Sequence, residues 1–174
     1  MRSPPLSLGA WAILALLCEG DTHGWTLVRA LAPDGEIGRV WSIRRALVYR
    51  TVDQLIEAGL AERAGVEPGS RGSPRTLLHA SASGRRALEG WLAEPVEHVR
   101  DLRSALLLKL LFAERCGADR VGLLSAQREL LTETIAALGG GDPGFDETLR
   151  SFRRETARAG QRFVEGELAR QSGT

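Results

Sequence analysis

Two short strand candidates, separated by a loop rich in Gly, Pro and Ser, constrain the fold of this chain most strongly. The candidates are Leu60–Ala64 and Arg75–His79, and the loop covers residues 65–74. Short strands joined by such a loop predict a β-hairpin. Three helical segments precede the hairpin and one follows it, all within about ninety residues. Three helices followed by a hairpin are typical of a winged helix-turn-helix.

The helical segments have recognisable ends. The first is predicted to begin after Ser7, whose hydroxyl can cap it, and to end at Glu19-Gly20. The second spans about residues 24–31 and is followed by the turn signal Pro33-Asp34-Gly35. The third is predicted to begin after Ser42 and to run to Gly59, and Ser81 starts the fourth.

The third helix is amphipathic. Helical spacing puts one set of residues on its inner face: Val48, Tyr49, Val52, Leu55 and Ile56. The opposite face carries Ala46, Leu47, Arg50, Gln54 and Glu57.

The rest of the chain reads as helices with leucine stripes, over about residues 99–115, 119–138 and 145–170. No sheet is available to cover these wide apolar faces, and a second subunit would bury them. We therefore expect a mostly α protein with two domains. Residues 1–94 would form the winged helix-turn-helix, and residues 95–174 would form a helical dimerisation domain.

Charge at the third helix favours an anionic partner. Four arginines and no acidic residue lie between Ile37 and Val52, and a cap at Ser42 would put Arg44 and Arg45 in the first turn. Cations are unfavourable there by roughly 0.3–1 kcal/mol each, and a phosphodiester backbone would reverse the sign. The alternative is a set of solvated arginines that tolerate this penalty. The residues predicted to contact DNA are Ser42, Arg44, Arg45, Leu47, Tyr49, Arg50, Thr51, Gln54, Arg71 and Arg75.

Two of the predicted DNA contacts, Arg71 and Arg75, belong to the hairpin. Arg71 and Arg75 stand against the single acid Glu67 in and beside the loop. A hairpin tip with Gly and Arg can lie along a minor groove or a phosphate backbone. The alternative is a polar loop whose charge is incidental.

Other functional classes find little support. The net charge is only +1, so bulk charge does not indicate nucleic acid. His23, His79 and His98 have no metal-ligand spacing, residues 139–144 lack the Lys and Ser/Thr of a phosphate-binding loop, and no nucleophile motif occurs. The sequence therefore predicts no enzyme, catalytic residue, metal or cofactor.

The compartment is expected to be the cytoplasm. The apolar run Trp11–Cys18 is too short to span a bilayer and lacks the features of a secretory peptide. Cys18 and Cys116 are interpreted as small apolar residues in a reducing compartment.

The tryptophans suggest a ligand pocket. They are chiefly interpreted as core and interface anchors. A second interpretation is that Trp11 and Trp91 line a pocket for flat apolar ligands between the winged domain and the C-terminal helices.

Several motifs carry a resemblance to a family. They are Leu8-Gly9 with Trp11, His23-Gly24-Trp25, Leu47-Val48-Tyr49-Arg50, Leu55–Leu60, Gly72-Ser73-Pro74-Arg75, residues 81–92, and residues 95–103 with Leu107–Leu110. In their order and spacing the chain resembles PadR-type transcriptional regulators over its first 115 or so residues. The sequence departs from the family at Ala46-Leu47, where Gly-Thr is frequent, and at Trp25, where Tyr is more usual.

The resemblance implies a dimeric, repressor-like protein whose C-terminal helices make the dimer. Its partner would be double-stranded operator DNA, and small aromatic or hydrophobic effectors would relieve binding. A two-fold axis implies a pseudo-palindromic operator with half-sites roughly 34–36 Å apart. Two alternatives stay open: a winged-helix module that binds another protein, and a DNA-binding regulator without a small-molecule ligand.

Overall fold

The computed structural model of the chain describes residues 5–67, 75–138 and 144–172. These residues divide into two compact units. The first unit contains the residues up to Leu92 together with Leu111–Ala118, and the second contains Ala93–Leu110 and the residues from Asp119 onward. The sequence predicted a boundary between residues 94 and 95, but it gave no sign that Leu111–Ala118 groups with the N-terminal residues.

The first unit is a winged helix-turn-helix, and the predicted fold class is confirmed. In chain order its elements are α1 (Leu8–Glu19), β1 (Thr22–His23), α2 (Gly24–Ala30), α3 (Arg45–Glu57), β2 (Ala61–Glu67), β3 (Arg75–Ala80) and α4 (Ala82–Ala93).

Helix α1 is the centre of the N-terminal core. The Ser7 hydroxyl accepts a hydrogen bond from the amide of Ala10 at 3.2 Å and so caps the helix as predicted. All eight residues from Ala10 to Leu17 are buried. A helix that is apolar on every side lies inside a core and not at a surface.

The wing is a three-stranded antiparallel sheet in the order β1-β3-β2. The sequence predicted only the β2–β3 hairpin. Strand β1 is added because Thr22 and His23 pair with Leu78 and Leu77 of β3. Strand β2 carries one extra residue between Arg63 and Gly65, a bulge that increases the local twist.

Helix α3 ends at a glycine and continues directly into the wing. Gly59 has a φ of +69°, a left-handed conformation that glycine adopts readily, and the Leu60 amide donates to the Leu55 carbonyl at 2.9 Å. The Leu60 carbonyl lies against α4, where a Cβ added at Gly84 would be 2.0 Å from this oxygen. This close approach fixes the start of the wing against α4.

The second unit is helical. A 3-10 turn (Val99–Asp101) and a π-helical turn (Leu102–Leu106) precede α5 (Leu107–Cys116), so the single helix predicted over residues 99–115 is divided. Helix α5 passes from the second unit into the first at Leu111. Two longer helices follow, α6 (Arg120–Ala137) and α7 (Phe145–Ser172). The core residues of this unit are Val96, Leu106, Leu110, Leu123, Leu124, Leu131, Ala157 and Val164.

Two buried polar side chains of the second unit, Gln127 and Lys109, form hydrogen bonds to the backbone. The Gln127 side-chain amide is fully buried and bonds both backbone groups of Val96, accepting from its N–H at 2.6 Å and donating to its carbonyl at 3.1 Å. The Lys109 ammonium donates to the Glu94 carbonyl at 2.8 Å, and burial lowers the pKa of Lys109 to about 8.

Candidate nucleic-acid interface

Helix α3 begins two residues later than the sequence predicted. The Ile43 amide donates to the Leu31 carbonyl at 2.9 Å and the Ile43 side chain is buried, so the backbone stays extended up to Arg44. Arg44 therefore occupies the N-cap position, and its side chain makes no capping hydrogen bond. The prediction that Ser42 caps this helix is wrong; Ser42 is an exposed residue before the helix.

The buried face of α3 is rotated by about one residue from the predicted face. It consists of Val48, Thr51, Val52 and Leu55. Thr51 is only 5% exposed, so the structure gives no support to its predicted DNA contact. Tyr49, predicted to face inward, is 39% exposed.

The opposite face of α3 is open. Leu47 is half exposed at its centre, and Arg50 and Gln54 are exposed beside it. Asp53, also on the surface of α3, accepts a hydrogen bond from the Arg63 guanidinium of β2 at 2.9 Å. This exposed ion pair joins α3 to the wing and neutralises the acid nearest to Arg50 and Gln54.

An arginine cluster, defined as Arg39, Arg44, Arg45 and Arg50, surrounds the start of α3. All four side chains are exposed. Arg39, Arg44 and Arg50 form no ion pair with any residue that the structure describes. The first turn of α3 contains no acidic residue. At the positive end of the helix dipole, Arg44 and Arg45 therefore have no acidic ion-pair partner among the described residues.

Tyr49 is held against the start of α2. A Cβ added at Gly24 would lie 2.7 Å from Cε1 of Tyr49, so only glycine leaves room for the ring at this position. The Arg45 guanidinium lies 5.8 Å from the centre of the same ring, within cation–π range. Gly24 and Tyr49 thereby orient one guanidinium of the arginine cluster.

A second aromatic residue, Trp25, orients basic side chains next to the wing. It is 43% exposed, and the guanidinium groups of Arg29 and Arg75 lie 5.6 Å and 6.0 Å from the ring. Trp25, Tyr49 and Arg75 line a cleft of about 330 Å³ between α2, α3 and the sheet. Arg75 was among the residues predicted from the sequence to contact DNA, whereas Trp25 was not. The His23-Gly24-Trp25 motif and the neighbouring arginines could have indicated that Trp25 orients basic side chains. Arg71 lies outside the described residues.

Trp11 and Trp91 are core residues. Their rings stack with centroids 5.0 Å apart and planes 9° from parallel, and the two residues are 4% and 7% exposed. Each indole covers a face of the other, so the idea that they present free faces to a ligand is not supported.

Two further expectations concern metals and membranes. Within the described ranges, no group of three or more His, Cys, Asp or Glu side chains could hold a metal ion. No helix in the same part of the chain is long and apolar enough to cross a membrane.

Comparison with known proteins gives a relative in sequence and related solved structures. No family model matches the chain. Over 97 residues the chain is 35% identical to the probable transcriptional regulator Rv1176c of Mycobacterium tuberculosis. The match covers 55% of this chain and 49% of the relative, so the chain spans about half the length of that protein.

One of the related structures is the crystal structure of Bacillus subtilis PadR in complex with operator DNA. It covers 91% of this chain and 97% of its own, at 18% identity and a TM-score of 0.48. The sequence similarity to the Mycobacterium tuberculosis protein extends over about half of the chain, and that protein is described as a probable transcriptional regulator.

Proposed function

We propose that this chain is a PadR-type transcriptional regulator that binds operator DNA through α3 and the wing. The observation that carries the proposal is the arginine cluster at the start of α3. Arg39, Arg44 and Arg50 are exposed and have no ion-pair partner among the described residues, and the cap position offers no side-chain acceptor. A protein selected for stability alone would place an acid there.

A DNA phosphate supplies the missing negative charge. Free amide groups at a helix N-terminus and nearby guanidinium groups together form an anion site. Each phosphate that such groups neutralise releases condensed counterions, so binding weakens steeply as salt rises. We therefore assign Arg44 and Arg45 to the DNA backbone.

The open face of α3 carries the chemistry needed to read bases. Arg50 can donate two hydrogen bonds to guanine, Gln54 can bond adenine, and Leu47 can contact a thymine methyl group. All three side chains are exposed on the same side of the helix. Arg75, which lies over Trp25, extends the basic surface to the wing.

A homodimer would present two copies of α3 to two half-sites. Three phenylalanines lie on one side of α7 at helical spacing: Phe145, Phe152 and Phe163 are 78%, 68% and 37% exposed. Covering such a stripe with the same stripe of a second copy buries it symmetrically. The dimer implies a pseudo-palindromic operator with half-sites roughly 34–36 Å apart.

The proposal includes repression and relief by a small hydrophobic or aromatic effector. This part depends on the family resemblance. The stacked pair Trp11 and Trp91 offers it no support, because each ring is covered by the other.

The experiment is a binding titration with the full chain and DNA from upstream of its coding region. Salt is varied in the presence of nonspecific competitor. We expect selective binding with a steep salt slope. Arg44→Ala and Arg45→Ala should each weaken binding at least about tenfold and reduce the slope by about two, one for each subunit of the dimer. The matched control is Arg86→Ala, an exposed arginine on α4 that bonds Ser83 and should leave binding unchanged.

Two outcomes would contradict the proposal. Equal losses in the Arg44→Ala and Arg86→Ala proteins would show that overall charge, and not α3, governs binding. No selective binding at any salt concentration would favour the winged-helix module that binds another protein.

A further inference from the structure

Two cysteines from distant parts of the sequence meet at one cleft in the first unit. Cys18 is the penultimate residue of α1, and Cys116 is the last residue of α5. They are the only cysteines in the chain. Both line an open cleft of about 690 Å³, in which Cys116 is exposed and Cys18 is partly buried.

An ion pair between their sequence neighbours holds the two positions together. The Arg115 guanidinium donates to both carboxylate oxygens of Glu19, each at 2.7 Å, and also to Glu36 at 2.9 Å. A bidentate pair of this kind fixes orientation as well as distance. The last turns of α1 and α5 are therefore joined at the residues next to the two sulfurs.

Both sulfurs are protonated at neutral pH. Burial raises the pKa of Cys18 to about 11; the charge of Arg85 opposes this shift, and the charge of Cys116 contributes to it. Burial also raises the pKa of Cys116. A charge on one sulfur thus acts on the other, as expected for two groups in one cleft, and the pair reacts only through a small thiolate fraction.

We propose that Cys18 and Cys116 are a disulfide-forming pair whose oxidant is a low-molecular-weight disulfide such as oxidised glutathione. In the first step, the more exposed Cys116 thiolate attacks one sulfur of the oxidant and expels a glutathione thiolate. In the second step, the Cys18 thiolate attacks Cys116 Sγ in the mixed disulfide and expels the other glutathione thiolate. The two protein protons end on these thiolates, so two protein thiols are oxidised and one external disulfide is reduced.

The product would be a covalent link between α1 and Leu111–Ala118. This segment belongs to the first unit, while the residues before and after it belong to the second. Oxidation would therefore fix the segment to the central helix of the wing-bearing unit. This inference does not depend on DNA binding, because none of the residues involved belongs to the arginine cluster.

The test uses the full chain, oxidised glutathione and intact mass measurement without a reductant. We expect the wild-type chain to lose two hydrogens, to remain a single chain on a non-reducing denaturing gel, and to recover its mass with dithiothreitol. Cys18→Ser should stop at one glutathione on Cys116. Cys116→Ser should react at least several-fold more slowly. The wild-type rate should rise about tenfold per pH unit below the thiol pKa.

Arg115→Ala provides a second variant that keeps both thiols. Loss of Arg115 removes a positive charge that lowers the pKa of Cys116, so the first step should slow modestly. The second step should slow more strongly, because the ion pair no longer holds α1 beside α5, so the mixed disulfide should accumulate. Three results would overturn the proposal: glutathione retained on both thiols, disulfides formed only between chains, or no reaction when the denatured chain reacts fully.

Discussion

The indole rings of Trp11 and Trp91 stack 5.0 Å apart, with their planes within 9° of parallel, and join the central helix α1 to α4. We expect Trp91→Ala to lower the free energy of unfolding by about 3–5 kcal/mol, because it removes a buried aromatic side chain and leaves a cavity beside Trp11. Denaturant unfolding monitored by circular dichroism measures the loss. Trp41→Ala, at a residue that is 38% exposed, should cost about 1 kcal/mol; equal losses would show that the stack adds nothing.

Gly24→Ala should disturb Tyr49. The added Cβ would lie 2.7 Å from the ring, so the ring must move or the start of α2 must shift, at a cost of about 1–2 kcal/mol. The double variant Gly24→Ala/Tyr49→Ala should lose less than the sum of the two single changes, since the clash is then absent. Denaturant unfolding of all four proteins gives the coupling energy. Additive losses would mean that Gly24 is required for another reason.

Phe152→Glu should dissociate the proposed dimer. A charged side chain in the middle of the exposed phenylalanine stripe of α7 would be buried without a partner in a symmetric interface. Sedimentation velocity should give the mass of a single chain, with unchanged helical content. Arg153→Glu introduces the same side chain at the adjacent exposed position and should leave the dimer intact. If both proteins sediment as the wild type does, the stripe is not the dimer interface.

Lys109 should make a contribution to stability that rises with pH. Burial lowers its pKa from 10.5 to about 8 in the folded chain, so between these values the unfolded chain binds more protons. The contribution of Lys109 to the free energy of unfolding must then increase with pH across this range, by on the order of 3 kcal/mol. Lys109→Met removes the titrating group, so the wild-type curve should climb relative to that of the variant. Parallel curves from about pH 7 to about pH 10 would contradict this assignment.

Features that depend on neighbouring residues were predictable from the sequence. Ser7 and Asp119 cap their helices by accepting bonds from Ala10 and Gly122, three residues ahead. Gly117 has a φ of +66° directly after α5, a conformation that glycine favours at the end of a helix. Such signals need no knowledge of the tertiary structure.

Features that depend on distant residues were not predictable. The cap at α3 moved from Ser42 to Arg44 because Ile43 bonds Leu31, twelve residues earlier in the chain. Strand β1 has only two residues and exists through its pairing with β3. The rotation that buries Thr51 and exposes Tyr49 depends on which side of α3 meets the core, and periodicity fixes that side only to within about one residue.

The burial of Lys109 also determines which types of cationic side chain lie on the protein surface. It is the single lysine of the sequence and only 3% exposed. Apart from histidine, the positive side chains on the described surface are therefore all guanidinium groups. Guanidinium stays protonated above pH ~12. The surface will keep its cations at alkaline pH, where lysine-rich surfaces lose theirs, and reagents selective for lysine amines will find no ready target on it.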